Sequence, residues 1–366
     1  MFLGSRPDRE PGLFGLRHSN RDFTQQEAWG KNCFNSSLPA SLCSYLYSQN
    51  LDNVYLTLNS DLEIEHSSIS TDTFYCISPD SDNLFYAFET QFTPYQKYLI
   101  GTLPGVDLVT QARDTGGCLR AIEIKLTALP DNTTCQLAED YYGCEIVIRP
   151  DTIVYLACSL VDIFNPNSPT PIFSTDGRFA EEILDWSEPN AVIPYIPSMI
   201  NAIDLVLLSI LKHQQPFLMQ PIWKTQGKSP KLSENCLDVF VWSNFAFTRL
   251  FMDLTKMEIR KFGYVRNISR HTRTLIWLFK MLYDFSINDF VNYGKIINAL
   301  SYNTKNDKAF AVSGRFTHSY MKSEALRNPR IKKQEIKDII VGGGQNLLSP
   351  ERRFDAIIYN SPDLFN

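Results

Sequence analysis

Pro104-Gly105-Val106-Asp107 opens a stretch that closes at Ala121-Ile122-Glu123-Ile124-Lys125, with fifteen residues between the aspartate and the glutamate. Two apolar runs, Val106–Gln111 and Leu119–Ala128, flank the polar, Gly-rich link Arg113-Asp114-Thr115-Gly116-Gly117. This is the pattern of two strands joined by a hairpin turn. Side chains two apart on a strand leave the same face, so Glu123 and Lys125 point one way. Ile122 and Ile124 point the other way and anchor the strand in a core. The hairpin brings Asp107, at the start of the first strand, beside Glu123.

Two carboxylates and a lysine converging on one pocket suit Mg²⁺-dependent hydrolysis of a phosphodiester. Hard oxygen ligands hold Mg²⁺, and Asp107 and Glu123 are the candidate metal ligands. Lys125 is placed to orient water or to offset charge on the scissile phosphate. The competing reading is a surface hairpin with a solvated salt bridge. Glu89 is a possible third carboxylate, or an ordinary exposed glutamate. Gln91 and Gln96 are weaker candidates, and Glu63 and Glu65 read as the solvated face of an edge strand.

Outward from the hairpin, residues 53–66 and 73–78 alternate as strands do. Leu84, Phe88, Phe92, Tyr95 and Leu99 recur near helical spacing, which predicts a helix over Leu84–Ile100 kinked at Pro94. Further strands are predicted at Glu145–Arg149 and Ile153–Leu160. Residues 1–54 read as an irregular arm with one short helix near 39–48. Residues 55–165 form the α/β core, and the Pro-, Asn- and Ser-rich run from 165 to 197 is the boundary. Residues 198–366 turn mainly helical, with candidates at Ser198–His213, Val239–Thr255, Ser269–Phe285, Ile287–Leu300 and Lys333–Val341. Gly342-Gly343-Gly344 lacks the Lys-Ser/Thr of a phosphate loop and reads as a helix stop.

Of 366 residues, 44% are hydrophobic and 20% charged, which allows a sizeable core and excludes wholesale disorder. The net charge of −5 hides an asymmetry. Residues 1–200 hold 11 Lys/Arg against 26 Asp/Glu, whereas residues 201–366 hold 24 against 14. A basic second half points to a nucleic-acid surface, unless the two halves neutralise each other by packing; a role in dimerisation is a further expectation for the same region. Arg266, Arg270, Arg273, Arg315, Lys322 and Arg330 are the candidate DNA-binding residues, most of them positioning contacts to phosphates.

Eight cysteines show no Cys-x-x-Cys pair or zinc spacing, which predicts buried free thiols in a reducing cytoplasm. The N-terminus has no uninterrupted apolar core, so no secretion signal is expected. Asn201 and Asp204 interrupt the apolar segment Met199–Leu211, which is too short to span a bilayer, so no membrane partner is expected. The five histidines lie far apart, and no Gly-x-Ser-x-Gly elbow or Gly-x-Gly-x-x-Gly loop is present.

The Asp107…Glu123-Ile-Lys125 core resembles the PD-(D/E)xK nuclease superfamily, with Pro-Gly-Val-Asp in place of a bare Pro-Asp. Three segments resemble more specifically the HindVP/HgiDI group of type II restriction endonucleases. They are Gly12-Leu-Phe-Gly-Leu-Arg-His-Ser-Asn-Arg-Asp22-Phe, Trp29-Gly-Lys-Asn-Cys-Phe-Asn-Ser-Ser37 and Phe88-Glu-Thr-Gln-Phe-Thr-Pro-Tyr-Gln96. The resemblance implies a restriction-endonuclease-like core, a mixed central sheet flanked by helices, followed by a mainly helical C-terminal region. It implies a Mg²⁺-dependent enzyme that cuts both strands of unmethylated double-stranded DNA at a short palindrome of the GRCGYC kind. A DNA methyltransferase would be its genetic partner. A palindromic target with one site per chain predicts a two-fold homodimer. The alternatives are a repair or structure-specific nuclease of the same superfamily, or a DNA-binding regulator that has lost catalysis.

Overall fold

In a computed structural model of the chain, residues 18–21, 40, 43, 44, 46–124, 127, 128, 144–164, 177–213, 217–219, 224–226, 229–231, 238–242, 244–302 and 312–316 are described. Strands β1 (Asn53–Leu58) and β2 (Ile64–Ile69) form an antiparallel hairpin. Residues 73–78, expected as a strand, instead fall in helix α1 (Thr71–Tyr75) and the turn that ends it. Ser70 caps this helix by accepting from the Thr73 amide, and Cys76 closes it at φ 64°.

The larger correction concerns Leu84–Ile100. Leu84–Thr90 is strand β3, and only Thr93–Tyr98 is helical, as a 3₁₀ turn with Pro94 near its start. A spacing of four, as in Leu84, Phe88 and Phe92, satisfies a strand's period of two as well as a helix's turn. The aromatic content of Phe85-Tyr86-Ala87-Phe88 then favours the strand. Strand β4 (Val106–Ala112) and strand β5 (Cys118–Ile122) complete an antiparallel sheet in the order β3-β4-β5. Their turn is the expected one. Gly116 sits at φ 68° and its amide donates to the Ala112 carbonyl at 2.8 Å.

Strands β6 (Thr127–Ala128) and β7 (Cys144–Ile148) precede helix α2 (Pro150–Phe164). Ile153–Leu160, expected as a strand, lies inside this helix. Its apolar run is buried all round, so periodicity could not separate the two cases. The start signals decide it: Pro150 supplies the first helical position and Asp151 complements the helix dipole.

Helix α3 (Ile196–Ile210) follows, then strands β8 (Phe217–Met219), β9 (Lys224–Gln226), β10 (Ser229–Lys231) and β11 (Asp238–Trp242). The chain ends its described part with helices α4 (Asn244–Phe262), α5 (Arg270–Asn288) and α6 (Tyr293–Ala299) and strand β12 (Val312–Phe316). The helix expected over Val239–Thr255 thus begins as β11 and becomes helical at Asn244. That over Ile287–Leu300 is broken where Asp289 turns at φ 62°. Ser269 caps α5 as expected, its side chain accepting from the Thr272 amide. The helix expected at Lys333–Val341 and the triple glycine lie outside the described residues.

A second sheet runs β12-β7-β6-β11-β8. Every pairing between the named strands is antiparallel. The architecture is α/β, but the expected mixed central sheet is not what the described strands form. The tight turns of the β1–β2 and β4–β5 hairpins require antiparallel pairing there, since a parallel neighbour needs a long crossover. Among the described residues, parallel pairing is confined to isolated bridges at Ser19–Tyr86 and Leu99–Val291.

Helix α5 is the centre of the core. Leu275, Ile276, Trp277, Leu278, Phe279, Met281 and Leu282 are all buried on it, against α2, α3 and α4. Burying one such side chain contributes roughly 1.5–3 kcal/mol. The stretch Pro189–His213 is apolar and long enough to cross a membrane by composition. Within it, Met199, Ile203, Val206 and Ile210 of α3 are buried in this core, and Asp204 pairs with Arg249 at 2.8 Å and Lys256 at 2.7 Å. Of the described cysteines, Cys43, Cys76, Cys118 and Cys158 are free thiols. Cys43 and Cys158 are buried, and burial pushes the Cys43 thiol up to about 12.

Candidate active site

The β4–β5 register pairs Leu108 with Ile122. One residue further out, the same register sets Asp107 opposite Glu123. The two are tied reciprocally. The Ile124 amide donates to an Asp107 carboxylate oxygen at 2.7 Å, and the Asp107 amide lies 3.4 Å from a Glu123 carboxylate oxygen. Both side chains are half-buried at the end of the sheet, while Leu108 and Ile122 turn into the core. Ile124 packs against that core as well. The structure therefore brings the two predicted carboxylates together on one face.

Neighbouring elements hold this corner. The N-terminal turn of α2 lies against it, with the Thr152 hydroxyl 3.4 Å from the second Glu123 carboxylate oxygen. A helix N-terminus favours negative charge nearby. Tyr155, one turn further along, accepts from the Phe92 amide at 3.1 Å and donates to the Pro104 carbonyl at 2.7 Å. Burial raises its phenol's pKa well above the usual range, so it stays a donor. Gln96 accepts from the Leu103 amide at 3.1 Å and donates to the Gly101 carbonyl at 2.7 Å. Gln91 also donates to Leu103. Weak ligand candidates by sequence, Gln91 and Gln96 hold the loop that delivers Asp107. Tyr155 falls in Ile153–Leu160, the run expected as a strand, and Thr152 directly precedes it, so the sequence pattern points to neither as part of this corner.

Two carboxylates without sulfur or imidazole are a donor set for a hard cation. Among the described residues, no three His, Cys, Asp or Glu side chains come together as a cation site. Mg²⁺ commonly takes only one or two carboxylates and completes its shell with water and substrate phosphate, so the pair fits that ion. Glu89 is on strand β3 rather than on a helix. Its carboxylate is held by Arg21 at 3.1 Å. Lys125 lies outside the described residues.

The chain matches the family model described as HindVP restriction endonuclease over residues 29–365.

The chain belongs to the HindVP restriction endonuclease family.

Two relatives cover it almost end to end. One is the type II restriction enzyme HgiDI of Herpetosiphon aurantiacus, 45% identical over 97% of this chain and 97% of that protein. The other is the probable type II restriction enzyme HindVP of Haemophilus influenzae, 47% identical over 97% of this chain and 95% of that protein. No solved structure matches the chain.

For this member of the HindVP family, the basic candidates divide. Arg266 and Arg270 are exposed at the corner between α4 and α5. Arg266 and Lys261 both lie over the ring of Phe262, at 5.4 and 5.2 Å, and Tyr264 beside them is 62% exposed. Arg273, expected on the DNA-facing surface, is only 6% exposed. Its guanidinium lies 5.0 Å over Trp277 and donates to the Ser301 carbonyl at 3.3 Å. A guanidinium in that position is covered by the core. Arg273 falls in Thr272–Phe279, where α5 is buried on every side, a position that charge counting does not distinguish. Arg315 is on β12, opposite Glu145 in the register. Lys322 and Arg330 lie outside the described residues.

Proposed function

We propose that this chain is a type II restriction endonuclease whose catalytic centre is the Asp107–Glu123 pair with Lys125. The observation that carries this is the carboxylate pair itself, closed across one hairpin in a chain of restriction-endonuclease family. In this reading the core is of the PD-(D/E)xK kind. Asp107 and Glu123 hold Mg²⁺, and the Asp107 loop, tied by Gln96 and Tyr155, fixes their separation. Bound there, Mg²⁺ supplies polarisation of the phosphate and a lowered pKa for water. Lys125, two positions after Glu123 in the sequence, is the group that orients the attacking water or offsets phosphate charge. The α2 N-terminus adds a partial positive charge at the same corner. The enzyme works in the cytoplasm beside a protecting methyltransferase, as a homodimer, on a palindrome of the GRCGYC kind. Sedimentation at twice the chain mass of 41.9 kDa supports the dimer, and a stable monomer on DNA contradicts it.

Unmethylated plasmid incubated with the protein and Mg²⁺ is expected to give discrete fragments. Plasmid premodified at the target is expected to stay intact. Random degradation, or cutting confined to junctions and lesions, contradicts a restriction activity.

The exposed α4–α5 corner is the proposed phosphate-contacting surface, through Arg266 and Arg270. Arg266→Ala and Arg270→Ala should each weaken DNA binding and lower the slope of log K against log salt by about one. An unchanged slope in both removes the corner from the DNA interface.

A further inference from the structure

Residues 18–21 lie along the outer edge of β3. The Tyr86 amide donates to the His18 carbonyl at 2.9 Å, and Ser19 bridges Tyr86 in parallel. The Asn20 side chain then copies a strand partner: it accepts from the Phe88 amide at 2.9 Å and donates to the Phe88 carbonyl at 3.0 Å. This docking delivers Arg21. Its guanidinium lies 4.3 Å over the ring of Phe88 and donates to the Glu89 carboxylate at 3.1 Å.

Glu89 has an unusual place. The β3–β4 register pairs Phe88 with Leu108 and Thr90 with Val106. That sets Glu89 opposite Asp107, and Asp107 is itself opposite Glu123. Three carboxylate-bearing residues thus share one row across three strands. Residues in one row ordinarily share a face, yet the Glu89 carboxylate does not join the other two. Its backbone is left-handed, at φ 49°, and its side chain turns to Arg21. A glutamate in that conformation is held there by its surroundings. Three carboxylates crowded together without a cation repel one another, so diverting one lowers that repulsion. The Arg21 side chain is 11% exposed and that of Glu89 is 64% exposed, so the pair is reachable from the carboxylate's side. A guanidinium binds phosphate with the same fork that binds carboxylate.

We propose that Arg21 is a positioning residue of the active site. In the DNA-free protein it holds Glu89 away from Asp107 and Glu123, and it releases Glu89 to join them when a DNA phosphate competes for its guanidinium. This rests on the carboxylate-pair reading above. Metal occupancy would then be coupled to DNA binding, because the third carboxylate becomes available only on substrate.

The test is Mn²⁺ binding to the full-length, DNA-free protein, followed by calorimetry or by the loss of free-ion spin resonance. Arg21→Gln should bind Mn²⁺ about tenfold more tightly than wild type, within the usual range of site-to-site coupling. Arg21→Gln/Glu89→Gln should return to wild type, and Arg21→Lys, which keeps the charge, should resemble it. Glu89→Gln alone should bind Mn²⁺ as wild type does, a result that holds even if Arg21→Gln proves unfolded. Arg21→Gln binding no more tightly while folded, or Glu89→Gln binding as weakly as Asp107→Asn, overturns the proposal. If Asp107→Asn itself binds Mn²⁺ normally, the carboxylate-pair reading fails instead.

Discussion

Asp107→Ala and Glu123→Ala will each lower DNA cleavage on the order of a thousandfold, while the protein stays folded and still binds DNA. The size follows from what each side chain does. Each supplies half of a two-carboxylate site, and among the described residues no third His, Cys, Asp or Glu joins the pair in the DNA-free protein. Folding should survive because both side chains are half-buried at the end of the sheet, not inside the α5 core. Asp107→Ala also loses the bond from the Ile124 amide, at a cost of about 1 kcal/mol. Asp107→Asn keeps an acceptor for that amide and removes the charge, so it separates scaffolding from chemistry. Single-turnover cleavage with parallel DNA binding decides the matter. Near-normal cleavage by either alanine variant would remove that carboxylate from the site.

Removing divalent metal should have an effect as large. Chelation with EDTA is expected to abolish cleavage, and Mg²⁺ added back should restore it. Ca²⁺ should support binding without cutting, because its looser oxygen shell fills a carboxylate site without the tight octahedral geometry of Mg²⁺. Bound ion also stabilises the native state by mass action, about 2.7 kcal/mol at a hundred times Kd. Mg²⁺ should therefore raise the melting temperature of the wild-type protein and leave that of Asp107→Ala unchanged. Cleavage that persists in EDTA would contradict a metal-dependent site.

The hairpin was legible because three signals agreed in it: alternating apolar residues, a Gly-rich turn and a carboxylate at each strand's outer end. What failed was the identity of its neighbours. Leu84–Thr90 kept a spacing of four that two geometries share, and Ile153–Leu160 is apolar on every side, so neither carried a usable period. Those two misreadings hid much of the site's frame. With β3 read as a helix, the row joining Glu89 to Asp107 was invisible; with Ile153–Leu160 read as a strand, Thr152 had no reason to face Glu123, and Tyr155 none to reach the Pro104 carbonyl. Arg273 shows a different limit. Charge is visible in a sequence, but the burial of Arg273 over Trp277 depends on other elements covering α5 on every side from Thr272 to Phe279.

Locating Mn²⁺ by its anomalous scattering in crystals of the protein, grown with uncleaved DNA, tests the central claim most directly. The account predicts a peak shared by carboxylate oxygens of Asp107 and Glu123, at about 2.1 Å from each. A peak held by other side chains, with none between these two, would contradict it.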